Sequence, residues 1–183
     1  MKPLQSIAMG MVLILLLVLA GDYDLLANPL GWILVVAGVR GLPAGLELRS
    51  TLLGVAVLAG LVSVPLWIPA VLDAIEDADE SIAWAVNLPQ FGCYLLLSLV
   101  LSRAAKAAGE RAADAWWSTM VLGCAAVIAL PVLIFGGGLE DLEGLAGVLV
   151  GLVPTAMIVL LFVHANREWA GAPAPETVDP ASD

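Results

Sequence analysis

The sequence predicts an all-α protein, a polytopic transmembrane helix bundle of six spans with N-in/C-in topology. Three observations predict it. Of 183 residues, 61% are hydrophobic and 13% charged, with a mean hydropathy of +1.01; a soluble domain carries roughly 45–50% apolar and about 25% charged residues. The apolar residues come in long blocks broken by short charged ones, which is the pattern of spans and not of a single water-facing core. The charges are also sorted between alternate breaks, acids in some and bases in others.

The blocks are Leu4–Ala20, Leu25–Leu42, Thr51–Leu72, Ile82–Leu101, Trp116–Phe135 and Leu145–Val163. Each approaches the roughly 17–25 residues that a helix rising 1.5 Å per residue needs to cross about 30 Å of hydrocarbon. The first has a rival reading as a cleaved signal peptide, because Lys2 precedes it and Val18 and Ala20 are small residues before a possible cut. The second is the weakest, with Asn28 and Pro29 near its start and Arg40 near its end, so its core from Leu30 to Val39 is short and a re-entrant hairpin competes for it.

Charge decides between these topologies. With six spans, the breaks Asp22–Asp24, Asp73–Glu80 and Glu140–Glu143 share one side and hold ten acids and no base. All seven bases (Lys2, Arg40, Arg49, Arg103, Lys106, Arg111 and Arg167) then share the other side, which the positive-inside rule assigns to the cytoplasm. A re-entrant second block would put Arg103, Lys106 and Arg111 across the membrane from Lys2 and Arg167, so six spans are preferred. Residues 1–169 form the expected bundle. Residues 170–183, rich in Pro, Ala and acid with no apolar period, form an expected disordered tail. The break from Arg103 to Asp114 is alanine-rich and is expected to stay helical beyond the membrane surface.

Aromatic rings fit the two interfaces, Tyr23, Trp67 and Trp84 on the acidic side and Trp116, Trp117 and Trp169 on the basic side; Trp32 lies deeper. Read as hairpins, the chain also repeats a plan, in which Arg40, Arg103 and Arg167 close inward helices 63 and 64 residues apart, each with a proline upstream. Such spacing suggests three repeated two-helix units. Pro65, Pro69, Pro89 and Pro131 fall in the acidic-side halves of their spans, so kinks there can splay the bundle into a vestibule.

Deep ionisable groups mark proton relays, ion-coupled carriers and intramembrane hydrolases. No Asp, Glu, Lys or Arg falls near the centre of any of the six blocks, which lowers each of these classes. Cys93 and Cys124 sit inside apolar runs as expected buried thiols, and a lone histidine, His164, near Arg167, reads as an interfacial residue. No Gly-x-Ser-x-Gly elbow occurs, the Gly136–Gly138 run precedes acids and no phosphate-binding lysine, and the cluster Asp73, Glu76, Asp77, Asp79 and Glu80 lacks calcium-loop spacing. No catalytic, cofactor-binding or metal-binding residue and no nucleic-acid partner is therefore expected.

What remains is polar but uncharged. Asn87 and Gln90, one turn apart beside Pro89, are the candidates for a polar cavity; Ser63, Ser98, Ser118, Thr119 and Thr155 read as hydrogen-bonding groups. Gly147 and Gly151 form a Gly-x-x-x-Gly pair, and Ala56 with Gly60 a looser one, expected to seat neighbouring helices within the protomer.

The stretch Asp24–Leu34 (an acid, two leucines, a polar turn, then glycine, an aromatic and aliphatics) resembles a segment of small multi-pass bacterial membrane proteins of no assigned activity. The Ala, Gly, Leu and Val richness with scarce lysine is similar to proteins of high-GC, actinobacterial-like genomes. That resemblance implies a multi-pass protein of the cytoplasmic membrane and brings no site residues. The expected function is non-enzymatic, through helix packing with a second copy or a membrane partner in the lipid bilayer. Two alternatives stand beside it: a transporter or channel for a neutral or apolar solute, and an interfacial lipid-modifying enzyme using Asp22, Asp24 or His164.

Overall fold

A computed structural model describes residues 1–20, 27–77 and 80–173, and among them every regular element is helical. Helix α1 spans Pro3–Ala20, α2 Ala27–Gly41, α3 Arg49–Ser63, α4 Pro69–Glu76, α5 Glu80–Ala107, α6 Arg111–Pro131 and α7 Glu143–His164. Short turns join them: 3₁₀ turns at Pro65–Trp67, Glu140–Leu142 and Glu168–Ala170, and a π turn at Val132–Gly136 that continues α6.

Three helical stretches are long and apolar enough to cross a membrane: Trp84–Ala107, Arg111–Gly136 and Glu143–His164, of 24, 26 and 22 residues. At 1.5 Å per residue they run about 33–39 Å. The apolar stretches Pro3–Leu15 of α1, Pro29–Gly41 and Arg49–Ser63 are shorter, so three of the six expected spans are seen at full length among the described residues.

The third block shows why. Pro65 and Pro69 each lack an N–H, and each proline ring clashes with the preceding helical turn. Ile68, held before Pro69, is extended at φ −88° and ψ 116°. The backbone therefore closes i→i−3 bonds, from Val64 N–H to Leu61 O at 3.3 Å and from Ile68 N–H to Pro65 O at 3.0 Å. Thr51–Leu72, expected as one helix, is two helices around a break.

The expected helical continuation to Asp114 is interrupted in turn. Gly109 adopts φ +77°, and Glu110 N–H bonds Ala105 O at 2.9 Å while Gly109 N–H bonds Lys106 O at 3.1 Å. These two bonds form a Schellman cap, with glycine at the left-handed position that a Cβ disfavours. Helix α6 then starts afresh and runs antiparallel to α5.

Neighbouring helices close a ring in chain order: α1 on α2, α2 on α3, α3 on α5, α5 on α6, α6 on α7, and α7 back on α1. Each turns one stripe inward, with Leu4, Ile7 and Met11 from α1, Val35 and Val39 from α2, Leu52 and Ala56 from α3, Leu97 and Leu101 from α5, Cys124 from α6, and Met157 and Leu161 from α7. Helix α1, the segment that competed with a signal peptide, is thus built into the core. It approaches α2 closely: a Cβ on Gly10 would collide with the Gly31 carbonyl, one on Gly31 would lie 2.7 Å from the Gly10 carbonyl, and one on Gly38 2.7 Å from the Pro3 carbonyl. Ser6 Oγ fixes the register by donating to Leu34 O at 2.8 Å.

Basic residues gather where helix ends meet. Lys2 Nζ donates to Asn166 Oδ1, joining the start of α1 to the end of α7. Arg49 Nη2 donates to Arg40 O at 2.6 Å, Arg103 pairs with Glu47 at 2.7 Å, and Arg167 pairs with Glu110 at 3.2 Å. Past α7 the chain stays packed: Ala170 and Ala172 are buried, and Gly171 lies against Pro3 and Pro43. Ala170 and Ala172, expected in the tail, are thus packed, and residues 174–183 lie outside the described residues.

Burial is uneven between the two halves. The half carrying the basic ends is tight, whereas among the side chains described buried positions begin along α7 only at Val153 and along α5 only at Cys93. In the first half of α7, Leu145, Val148 and Leu152 form one exposed face and Val150 is exposed on another side, while Leu149 packs against the core.

Candidate functional site

The break in the third block faces Pro89 within α5, and a cavity of about 50 Å³ lies between them. A water needs on the order of 10–15 Å³ on this measure, so the space admits a few water-sized molecules. Its wall brings Ser63 and Leu66 from the break together with Asn87, Pro89 and Gln90 from α5, and Trp32 from α2. Asn87 is exposed, Gln90 half-buried and Trp32 buried. Ser63 Oγ donates to Gly60 O at 2.7 Å, which leaves its lone pairs free to accept. Among the described residues lining the cavity none is charged, so it offers hydrogen bonds to a neutral group and no strong field to an ion.

Two prolines open this space and one tryptophan bounds it. Helix α3 stops at Ser63 and turns away, while Pro89 removes one donor from α5 at the same level. Trp32 fills the third side and stacks on Tyr94, ring centroids 6.5 Å apart at 16°, while Phe91 meets Tyr94 edge-on at 5.9 Å. Asn87 and Gln90 were legible because polar residues inside an apolar block stand out. Trp32 and Ser63 come from other helices, and only the Pro65–Pro69 pair, four residues apart, hinted that α3 would bend toward them.

The other polar groups satisfy themselves locally. Ser98, Thr119 and Thr155 hydroxyls donate to carbonyls four residues back, those of Tyr94, Ala115 and Gly151, at 2.9, 3.0 and 2.8 Å. Ser118 instead joins a network that sequence reading missed: Asp114 Oδ1 accepts from Ser102 Oγ at 2.6 Å and from Ser118 Oγ at 3.3 Å, and the two hydroxyls are 3.1 Å apart. The signal was present, since Ser102 and Asp114 lie seven and five residues on either side of Gly109, so a tight turn there sets them face to face.

His164, expected at the interface, is 6% exposed. It lies between Trp117 and Trp169, with ring centroids 5.8 Å away on each side, and its Nδ1 is 2.9 Å from Leu160 O. The tryptophans shield it from the surface and make it a packing residue of the basic end. Asp22, Asp24 and Asp79 lie outside the described residues. Cys93 and Cys124 are buried free thiols.

Among the described residues, a Cβ on Gly147 or Gly151, the pair expected to seat a neighbouring helix, meets nothing within 4 Å. Close helix approach is instead the work of Gly10, Gly31 and Gly38. Of the looser pair, Ala56 is buried and Gly60 packs on Trp32. Comparison of the chain with protein-family models, curated proteins and solved structures finds no match.

Proposed function

We propose that this chain is a multi-pass bacterial integral membrane protein of the cytoplasmic membrane that acts through helix association, with a second copy or a membrane partner, and not by making or breaking bonds. In this reading all six apolar blocks span, the basic end faces the cytoplasm and both termini lie there. The short helices reach across with the segments that adjoin them, α3 through the break and α4. The 63- and 64-residue arginine spacing supports descent from a repeated hairpin, although α2, α5 and α7 now differ in length at 15, 28 and 22 residues.

The observation that carries this reading is the half-packed bundle: Leu145, Val148 and Leu152 form an exposed apolar face on the first half of α7, beside a tightly packed basic half. In hydrocarbon, van der Waals contact is what favours one helix over lipid as a neighbour. Single cysteines at Leu145, Val148 and Leu152 test it in native membranes, since the two natural thiols are buried. At least one is expected to give a cross-linked species of higher mass, with Lys106→Cys shielded from impermeant reagent outside the cell and Asp77→Cys reached by it. Absence of any cross-link from all three positions removes the association reading.

A second reading, passage of a small neutral solute, is favoured by the uncharged cavity at the helix break. Its test is osmotic shrinkage of vesicles containing the protein. Flux above empty liposomes is expected to fall severalfold on Gln90→Leu, whose side chain lines the cavity. Equal flux from wild-type and protein-free vesicles ends that reading.

A further inference from the structure

We propose that the apolar groove between α2 and α3 seats one acyl chain of an anionic phospholipid from the leaflet on the basic side, with its phosphate held by Arg40. The groove encloses about 410 Å³ and runs from Pro29 to Arg40 along α2 and from Val57 to Val64 along α3. It exists because Ala37 and Gly60 project almost no side chain between the two helices. Ile33 and Leu61 on its walls are exposed, so it opens outward to the bilayer and not into the bundle.

Size selects the occupant. The helical rise from Pro29 to Arg40 gives the groove a length of about 16 Å at 1.5 Å per residue, close to half of a hydrocarbon core about 30 Å thick and hence to one leaflet. An acyl chain within one leaflet lies along a slot of this length, and Arg40 at its end stands where the headgroup would be.

Charge selects the headgroup. Among the described residues lining the groove Arg40 alone is charged, and it stands at the end where the basic residues gather. Arg49 is tied to it, with Nη2 on the Arg40 carbonyl, while Arg49 Nε is buried and has no partner among the described residues. Glu47, the acid in the adjoining loop, is engaged by Arg103 at 2.7 Å and does not neutralise this pair. A phosphate here accepts charge-assisted hydrogen bonds at one end of a chain-sized slot. On the membrane orientation proposed above, this end lies in the leaflet that carries anionic lipid.

The test uses the full chain reconstituted in vesicles of equal parts phosphatidylglycerol and phosphatidylcholine, followed by native mass spectrometry of the released protein. One retained phosphatidylglycerol per chain is expected, preferred over phosphatidylcholine by about fivefold, the effect of one basic residue at an anionic surface. Arg40→Gln is expected to abolish the preference. Ala37→Phe, an exposed position outside the core, is expected to fill the slot and release both lipids while circular dichroism stays unchanged. Equal retention by wild type and both variants, no preference in wild type, or a dimer lost on Ala37→Phe each overturns the proposal. A chain that fails to float with the vesicles fails the membrane reading instead, and the two failures are distinguishable.

Discussion

Gly31→Val is expected to push α1 and α2 apart and to lower the Tm of the detergent-solubilised protein steeply. The obstacle to a side chain at Gly31 is the carbonyl oxygen of Gly10, at 2.7 Å from an added Cβ, with Ile14 at the same distance. A flexible side chain can swing aside; a helix backbone moves only with its whole helix. Overpacking costs about 1–3 kcal/mol where neighbours can give, and here they cannot, so the upper end of that range or beyond is expected. The separation also lengthens the Ser6 to Leu34 hydrogen bond, now 2.8 Å. Gly147→Val provides the contrast. It meets open space, and replacing glycine in a helix by a residue with less backbone freedom to lose is neutral or mildly favourable. Thermal unfolding followed by circular dichroism reads both variants. Equal Tm values for the two would show that the α1–α2 contact is not as close as described.

This contrast also marks what a sequence can and cannot tell about such a bundle. Where apolar blocks begin and end is a property of the local composition, so α1 and α7 fall within a residue or two of Leu4–Ala20 and Leu145–Val163. Which glycines seat a neighbour is a property of two helices at once. The Gly-x-x-x-Gly spacing at Gly147 and Gly151 is visible on one helix and says nothing of what that face meets. The working set at the α1–α2 seam is Gly10 opposite Gly31, with Gly38 against Pro3 and Ile7, and no single-helix pattern contains it. The helix break was half legible: Pro65 and Pro69 are plain in the sequence, but reading them as separate kinks missed that both remove donors from the same two turns. The cavity was legible at Asn87 and Gln90 and hidden at Trp32 and Ser63, because the ring closure that brings α2 and α3 to α5 is set by packing across the whole molecule.

The adjacent residues Trp116 and Trp117 look alike in the sequence, and opposite outcomes are expected from truncating them. Trp117 is fully buried and Trp116 58% exposed. Trp117→Ala removes a ring that holds three elements together, since it packs on His164 of α7, which packs in turn on Trp169 of the final 3₁₀ turn. Large-to-small changes of this size in a core cost about 3–5 kcal/mol. The 3₁₀ turn is also held by the Arg167–Glu110 pair, a half-exposed contact that contributes little on its own. Its release is expected to expose the chain after Arg167 to trypsin, which limited proteolysis in detergent reads alongside Tm. Trp116→Ala is expected to leave both nearly unchanged. Trp117→Phe separates ring packing from hydrogen bonding. Trp117 Nε1 is buried and finds no partner among the described residues, and leaving such a donor unpaired costs about 1–3 kcal/mol. Phenylalanine loses some contact area but removes that cost, so its Tm is expected close to wild type. A Trp117→Phe variant as unstable as Trp117→Ala would mean that the indole N–H makes a bond the bundle needs, and the account of this core as held by ring contact alone would fall.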